Sequence, residues 1–296
     1  MPRLAAIAVA MLLLPAAGCG GGDDATGSRT VVAAFYPLAW AAEEIAADDV
    51  AVVNLTPPGA EPHDIELTAR DVERVREADL VLYLGQAFMP ALEDAVEGHE
   101  RAIDLLAGQR LRADDEEHGH EPGGVVGEEP ARDPHVWLDP GRLATIAGTI
   151  AAELGDRDAA TDLVARLEEL DREFRTGLSS CERREIVTSH AAFGYLADAY
   201  GLRQIALTGI SPEAEPSPRA LEELVAEVEA EGATTVFFET LVSPRLAQTV
   251  AREAGAETAA LDPLEGLGED QLDAGEDYLS VMRTNLATLR DALACS

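Results

Sequence analysis

The stretch Asp158-Ala-Ala-Thr-Asp-Leu-Val-Ala-Arg-Leu-Glu-Glu-Leu-Asp-Arg-Glu-Phe-Arg-Thr-Gly-Leu178 decides the architecture. Leu163, Leu167, Leu170 and Phe174 recur at steps of four, three and four, the spacing of one buried helical face. Gly155-Asp156 separates this long helix from another that the pattern predicts over Pro140–Leu154. Short apolar runs alternate with amphipathic ones on either side of the pair. On the N-terminal side the predicted strands are Thr30–Phe35, Val50–Leu55, Leu80–Leu84 and Ala102–Leu105, with a Thr-capped helix from Thr68 to Ala78. On the C-terminal side they are Glu185–Ser189, Gln204–Leu207, Thr234–Phe238 and Glu257–Leu261. Helices are predicted between them over Ala191–Tyr200, from Ser217-Pro218 to Ala230 and from Ser243-Pro244 to Ala254, and a last one over Gly275–Ala294. Apolar strands separated by helices predict parallel sheets covered on both faces. The expected fold is therefore α/β, with two lobes joined by the 158–178 helix.

Segments at the edges of this pattern read differently. Residues 1–18 open with a single Arg, run apolar from Leu4 to Leu14 and end in small residues, as an export signal does. The apolar run is too short to span a bilayer, which takes roughly 20 residues. Its Ala17-Gly18-Cys19 ending resembles a lipoprotein signal-peptide site, with Cys19 as the lipidated N-terminus of the mature chain. Residues 19–29, rich in Gly, Asp, Thr and Ser, read as a flexible tether. The lobes are then expected over 30–157 and 179–296. An acidic loop at 113–130 carries His118 and His120, a solvated charge run with weak affinity for metal.

The 296 residues hold 56 acidic side chains against 22 basic ones, a net charge of −34, and every basic residue is Arg. A chain so acidic lacks the basic surface that nucleic acid requires. Cys181 and Cys295 fall in no Cys-x-x-Cys spacing and are expected to pair in an exported protein. Closing so long a loop stabilises by roughly 4–5 kcal/mol in the chain-entropy model.

The chemistry lies in the junctions after the strands. Six histidines are present, and three occupy junctions where a site could form: His63 in Glu-Pro-His-Asp, His135 in Asp-Pro-His-Val-Trp-Leu-Asp-Pro between the acidic loop and the helix at Pro140, and His190 in Thr-Ser-His-Ala-Ala-Phe. Asp262, in Leu-Asp-Pro-Leu-Glu, follows another strand end, and Glu239 closes Thr234–Phe238. In open parallel sheets ligands bind beyond the carboxyl ends of the strands. Two facing lobes would bring His63 and His135 to one side of a cleft and His190 and Asp262 to the other. Three imidazoles and a carboxylate are ligands that Zn²⁺ prefers. Glu239 is expected to orient a ligand rather than to be one. Taken singly, each residue has a structural reading as well. His63 and His135 could fix their Pro-flanked loops, His190 could cap the following helix, and Asp262 before Pro263 is a common turn former.

Five ordered segments carry a family resemblance. They are Pro-Gly-Ala-Glu-Pro-His-Asp-Ile-Glu-Leu (58–67), Asp-Pro-His-Val-Trp-Leu-Asp-Pro (133–140), Thr-Ser-His-Ala-Ala-Phe-Gly-Tyr (188–195), Gly-Ile-Ser-Pro-Glu-Ala-Glu-Pro-Ser (209–217) and Leu-Asp-Pro-Leu (261–264). From about Val31 to the C-terminus the chain resembles the metal-binding lipoproteins of ABC-type zinc and manganese importers. The resemblance implies two four-stranded, mainly parallel lobes bridged by one long helix, with the metal between them. It also implies His63, His135, His190 and Asp262 as ligands and no enzymatic activity. His190 stands where manganese and iron members usually carry Glu, which favours Zn²⁺ over Mn²⁺. The implied protein is a monomer anchored through Cys19 to the outer face of the membrane, or periplasmic, delivering its ion to an ABC permease. A surface adhesin with a structural metal, and a zinc hydrolase using Glu239 as base, are the readings from other classes.

Overall fold

A computed structural model describes residues 28–113, 132–212 and 216–296. The expected signal and tether up to residue 27, with Cys19, lie outside the described residues, as do His118 and His120.

Each half carries one four-stranded parallel sheet. In the first, β1 (Arg29–Ala33), β2 (Val50–Asn54), β3 (Leu80–Tyr83) and β4 (Ala102–Asp104) lie in the order β2-β1-β3-β4. In the second, β5 (Glu185–Thr188), β6 (Arg203–Ala206), β7 (Thr235–Phe238) and β8 (Glu257–Ala260) take the equivalent order β6-β5-β7-β8. Both orders reverse direction at the first strand of the half. The crevice where a ligand sits therefore opens beyond the carboxyl ends of β1 and β3, and again beyond β5 and β7. The central strands are apolar because helices cover both faces: Val31, Val32, Leu80, Val81 and Leu82 are fully buried.

Ten helices are found among the described residues. α1 (Tyr36–Ile45), α2 (Ala69–Glu77) and α3 (Pro90–Ala95) belong to the first sheet. α6 (Gly194–Tyr200), α7 (Pro218–Ala230), α8 (Arg245–Ala254), α9 (Glu269–Asp273) and α10 (Tyr278–Ala292) belong to the second. Their starts follow local chemistry. Thr68 and Asp71 form a reciprocal capping box on α2, and Ser217 caps α7 ahead of Pro218. The last helix is shorter than the sequence pattern predicts, because Asp277 caps it and a separate turn of helix, α9, precedes it.

Between the sheets run α4 (Pro140–Leu154) and α5 (Arg157–Gly177), packed along one another. Gly155, in the left-handed region at φ 87°, ends α4, and the Asp156 side chain caps α5 by accepting from the Asp158 and Ala159 amides. α5 leans on α1 of the first half and on α10 of the second. Its Leu163, Leu167, Leu170 and Phe174 are fully buried in a hydrophobic core that also takes in β1, β3, α4, α6 and α10. A second, smaller core lies under α7 and α8 and includes Val187, Ile205, Leu224, Val236 and Val250. The larger core is continuous through both halves, so the halves are fused rather than strung on a hinge. Cys181, just after α5, is disulfide-bonded to Cys295 near the C-terminus. No helix among the described residues is long and apolar enough to cross a membrane.

Leu167→Ala removes a side chain from the seam where both halves meet. It should destabilise the protein by about 2–5 kcal/mol, read as a lower urea midpoint with an unchanged slope.

Candidate metal centre

Four ligand atoms converge between the two sheets. His63 lies in a 3₁₀ turn, Pro62–Asp64, after β2, and His135 immediately precedes another, Val136–Leu138, that leads into α4. His190 follows β5, two residues beyond its end, and Glu265 follows β8. His135, His190 and Glu265 are fully buried, and the His63 side chain is nearly so. Glu265 Oε1 is 3.1 Å from His190 Nε2, 3.3 Å from His135 Nε2 and 3.5 Å from His63 Nε2. The Nε2 atoms of His135 and His190 are 3.3 Å apart. A tetrahedral Zn²⁺ with bonds of about 2.0–2.1 Å sets its ligand atoms about 3.3–3.4 Å from one another. The four measured separations match those edges.

Groups behind the imidazoles fix which nitrogen faces inward. His135 Nδ1 lies 2.9 Å from Asp133 Oδ1, which also accepts from the His135 amide at 2.9 Å. His190 Nδ1 lies 2.8 Å from Glu239 Oε1, which accepts from the His190 amide at 3.1 Å. An imidazole that donates through Nδ1 to a carboxylate presents the Nε2 lone pair on its other side. Two such lone pairs then point at each other across 3.3 Å with Glu265 beside them, an arrangement that a cation completes. His63 Nε2 and Glu265 Oε2, both buried, have no hydrogen-bond partner among the described residues. The Phe88 and Trp137 rings pack around the imidazoles and keep the surroundings dry.

The fourth position corrects the expectation from sequence. Asp262 is buried nearby but stands apart from the cluster of ligand atoms. Its Oδ1 accepts from the Leu264 amide at 2.8 Å, and its Oδ2 accepts from Thr240 Oγ1 and Gln271 Nε2, each at 3.1 Å. With both oxygens committed, Asp262 builds a turn. Leu264 in that turn takes φ 56°, a left-handed conformation costing a non-glycine residue about 1–3 kcal/mol. The turn swings Glu265 inward. The signal was present in Leu-Asp-Pro-Leu-Glu, where the longer carboxylate comes three residues after the shorter one. Glu239 sits behind His190, and Glu61 accepts from the His63 amide at 3.2 Å and caps its 3₁₀ turn.

The sequence as a whole now places the site. The model of a family described as "Zinc-uptake complex component A periplasmic" matches residues 31–292. The chain belongs to this family of zinc-uptake proteins. It is 34% identical over 310 residues to the high-affinity zinc uptake system protein ZnuA of Bacillus subtilis, covering 96% of each chain. Its fold is similar to that of the Zn(II)-bound ZnuA-like domain of Streptococcus pneumoniae AdcA, with a TM-score of 0.73 at 33% identity. That match covers 90% of this chain and 99% of the domain, while the chain spans 61% of the length of the S. pneumoniae zinc-binding lipoprotein AdcA. A laminin-binding protein of Streptococcus agalactiae, described as having adhesin and metal-transporting activity, is similar at a TM-score of 0.77 and 29% identity. That match covers 90% of this chain and 99% of the other. Membership makes this chain a non-enzymatic, zinc-binding component of ABC-type zinc uptake, which sets the hydrolase reading aside.

Electrostatics prepare the site for a divalent cation. Burial alone would lower the His190 pKa, but the charges of Glu239 and Glu265 and the hydrogen bonds to them raise it well above the ordinary 6.5. Burial also works against charge on His135, where hydrogen bonds to the Asp133 and Glu265 carboxylates win and raise its pKa. For His63 burial outweighs the hydrogen bond to Glu265 and lowers its pKa. Burial would raise the Glu265 pKa, yet His190, His135 and His63 together hold it well below the carboxylate range. Glu61 is pushed up to about 9, first by burial and then by the Glu265 charge.

The sign of the pH response follows from His190. Zn²⁺ needs the Nε2 lone pair, so binding expels whatever proton the imidazole carries. Because its pKa is raised, the proton competes from above pH 6.5 downward. Zn²⁺ affinity should therefore be highest at alkaline pH. It should fall by about tenfold per pH unit for each proton displaced, with the decline already visible above pH 6.5. Zn²⁺ titrations with a competing chelator between pH 5.5 and 8.5 measure this. A flat profile above 6.5 would contradict the assigned coupling.

Proposed function

We propose that this protein captures one Zn²⁺ outside the cytoplasm through His63, His135, His190 and Glu265 and hands it to the permease of an ABC importer. The observation that carries the reading is the set of four ligand atoms all within 4.8 Å of one another, with Glu265 Oε1 3.1 to 3.5 Å from each imidazole Nε2. Three neutral imidazoles and one carboxylate leave the loaded site with a net charge of +1, partly offset by Asp133 and Glu239 behind the rings. Mn²⁺ favours oxygen donors and higher coordination, and a site so rich in nitrogen favours Zn²⁺. In the same reading the chain works as a monomer tethered at the membrane through a lipid on Cys19, supported by the Ala-Gly-Cys ending of its N-terminal segment. The lobes are assigned to 30–157 and 179–296, with 158–178 bridging them.

The ligand assignment is tested by a pair of carboxylate variants alongside a histidine variant. Removing a group that merely orients a ligand costs about 10–100-fold in metal affinity, so His190→Ala and Glu265→Ala should each cost at least about 100-fold. Asp262→Asn keeps the shape of the turn and should cost far less than Glu265→Ala. The reverse ranking in a metal-stripped titration would return the fourth ligand to Asp262. Competition between Zn²⁺ and Mn²⁺ on the same protein decides the ion, and preferential retention of Mn²⁺ would overturn the reading. Delivery and anchoring need separate tests. Radiolabelled palmitate should enter the wild-type chain but not Cys19→Ala, and zinc-limited growth of a deletion strain should be restored by wild-type protein but not by Glu265→Ala.

A further inference from the structure

Behind His135 is a joint that links it to the opposite half of the molecule. Asp133 holds the His135 ring through Oδ1, leaving Oδ2 facing away from the metal centre. Arg112 lies there, its Nε 3.7 Å from Asp133 Oδ2 and its Nη1 paired with Asp198 of α6. The backbone closes the same ring of contacts. The Asp133 amide donates to the Arg112 carbonyl at 3.2 Å, and the Arg112 amide donates to the Tyr195 hydroxyl at 2.9 Å. The hydroxyl in turn donates to the Asp133 carbonyl at 2.7 Å.

One feature of α6 shows how closely this joint is fitted. A Cβ on Gly194 would stand 2.7 Å from Arg112 Nε and 2.9 Å from Asp133 Oδ2. Gly194 has ordinary helical angles, φ −59° and ψ −44°, so its backbone does not require glycine. The requirement is space for the guanidinium and the carboxylate to lie against the helix. Nothing in the zinc tetrahedron itself demands either Arg112 or Gly194.

We infer that Arg112 is a positioning residue for the metal centre: seated on Gly194 and tied to Asp198, it holds Asp133 in the orientation that aims His135 Nε2 at the ion. The inference rests on the ligand assignment proposed above. Arg112 acts on the ligand through Asp133, which lies between it and the His135 ring. A guanidinium suits the position because it can face two carboxylates at once from a planar fork, which a lysine ammonium cannot.

Two variants on different elements test it. Arg112→Ala removes the guanidinium, while Gly194→Ala wedges it away from Asp133 and places a better helix former in α6. Each should weaken Zn²⁺ binding by about tenfold, the lower end for groups supporting a ligand, and each should shift the visible bands of bound Co²⁺. Arg112→Lys should fall between Arg112→Ala and the parent. Gly194→Ala should show these changes with a melting temperature no lower than the parent's, separating positioning from general destabilisation. In metal-free protein, the His135 Nδ1–H proton resonance should lose its downfield shift and exchange faster in both variants. That readout stands whether or not the parent takes up zinc, so failure of the parent to bind zinc would overturn the ligand assignment alone. Variants with the parent's zinc affinity, Co²⁺ spectrum and His135 proton would overturn the role of Arg112.

Discussion

The structure depends on two imidazole nitrogens, His135 Nε2 and His190 Nε2, held 3.3 Å apart between two sheets. Left as neutral lone pairs they repel, and left unpaired in a dry site they are costly. Asp133 and Glu239 prevent the simplest escape, which would be for the rings to turn over and hide those lone pairs. Glu265 between them supplies negative charge without supplying a proton donor. The site thus stores an unmet need for positive charge, met by protons on the imidazoles in acid and by a divalent ion near neutrality. Cargo capture and proton uptake are alternative answers to one electrostatic deficit.

Cross-links from the second half to the 133–138 segment make this arrangement rigid. Trp137 Nε1 donates to the Pro263 carbonyl at 2.8 Å, and the Tyr278 hydroxyl donates to the Trp137 carbonyl at 2.6 Å. Through Trp137, Tyr195 and Arg112, His135 is fastened to the half that carries His190 and Glu265, although it precedes the long helices in sequence. His63 stands apart from the other two imidazoles. Its loop meets the second half through the Gly59 amide, which donates to the Leu267 carbonyl at 3.0 Å.

Much of this was legible in sequence because the signals were local. The stripe Leu163, Leu167, Leu170 and Phe174 announced α5, and the apolar runs ending before His190 and Glu239 announced strands whose ends face a cleft. Three histidines at junctions between elements pointed to a metal. Glu265 was missed because its role is conformational. A sequence shows that Asp262 and Glu265 are both acidic, but not that the Leu264 amide takes one oxygen of the first while Thr240 and Gln271 take the other. Nor does it show that Leu264 adopts a left-handed conformation that turns the second inward. Arg112 and Gly194 were equally silent, since their relation is a close packing of residues 82 positions apart in the chain. Pairings of that kind leave no periodicity to read.

One small pairing bears on how such a receptor tolerates change. Ala113 and Arg132 face each other in an isolated antiparallel bridge, directly beside Arg112 and Asp133. The bridge brings residues 113 and 132 together, which sets Arg112 and Asp133 side by side behind His135. Lengthening a loop closed in this way costs little, about 0.6 kcal/mol for each doubling. A change of length between the two bridged residues therefore bears on the entropy of closing the bridge, and through it on how firmly Arg112 meets Asp133.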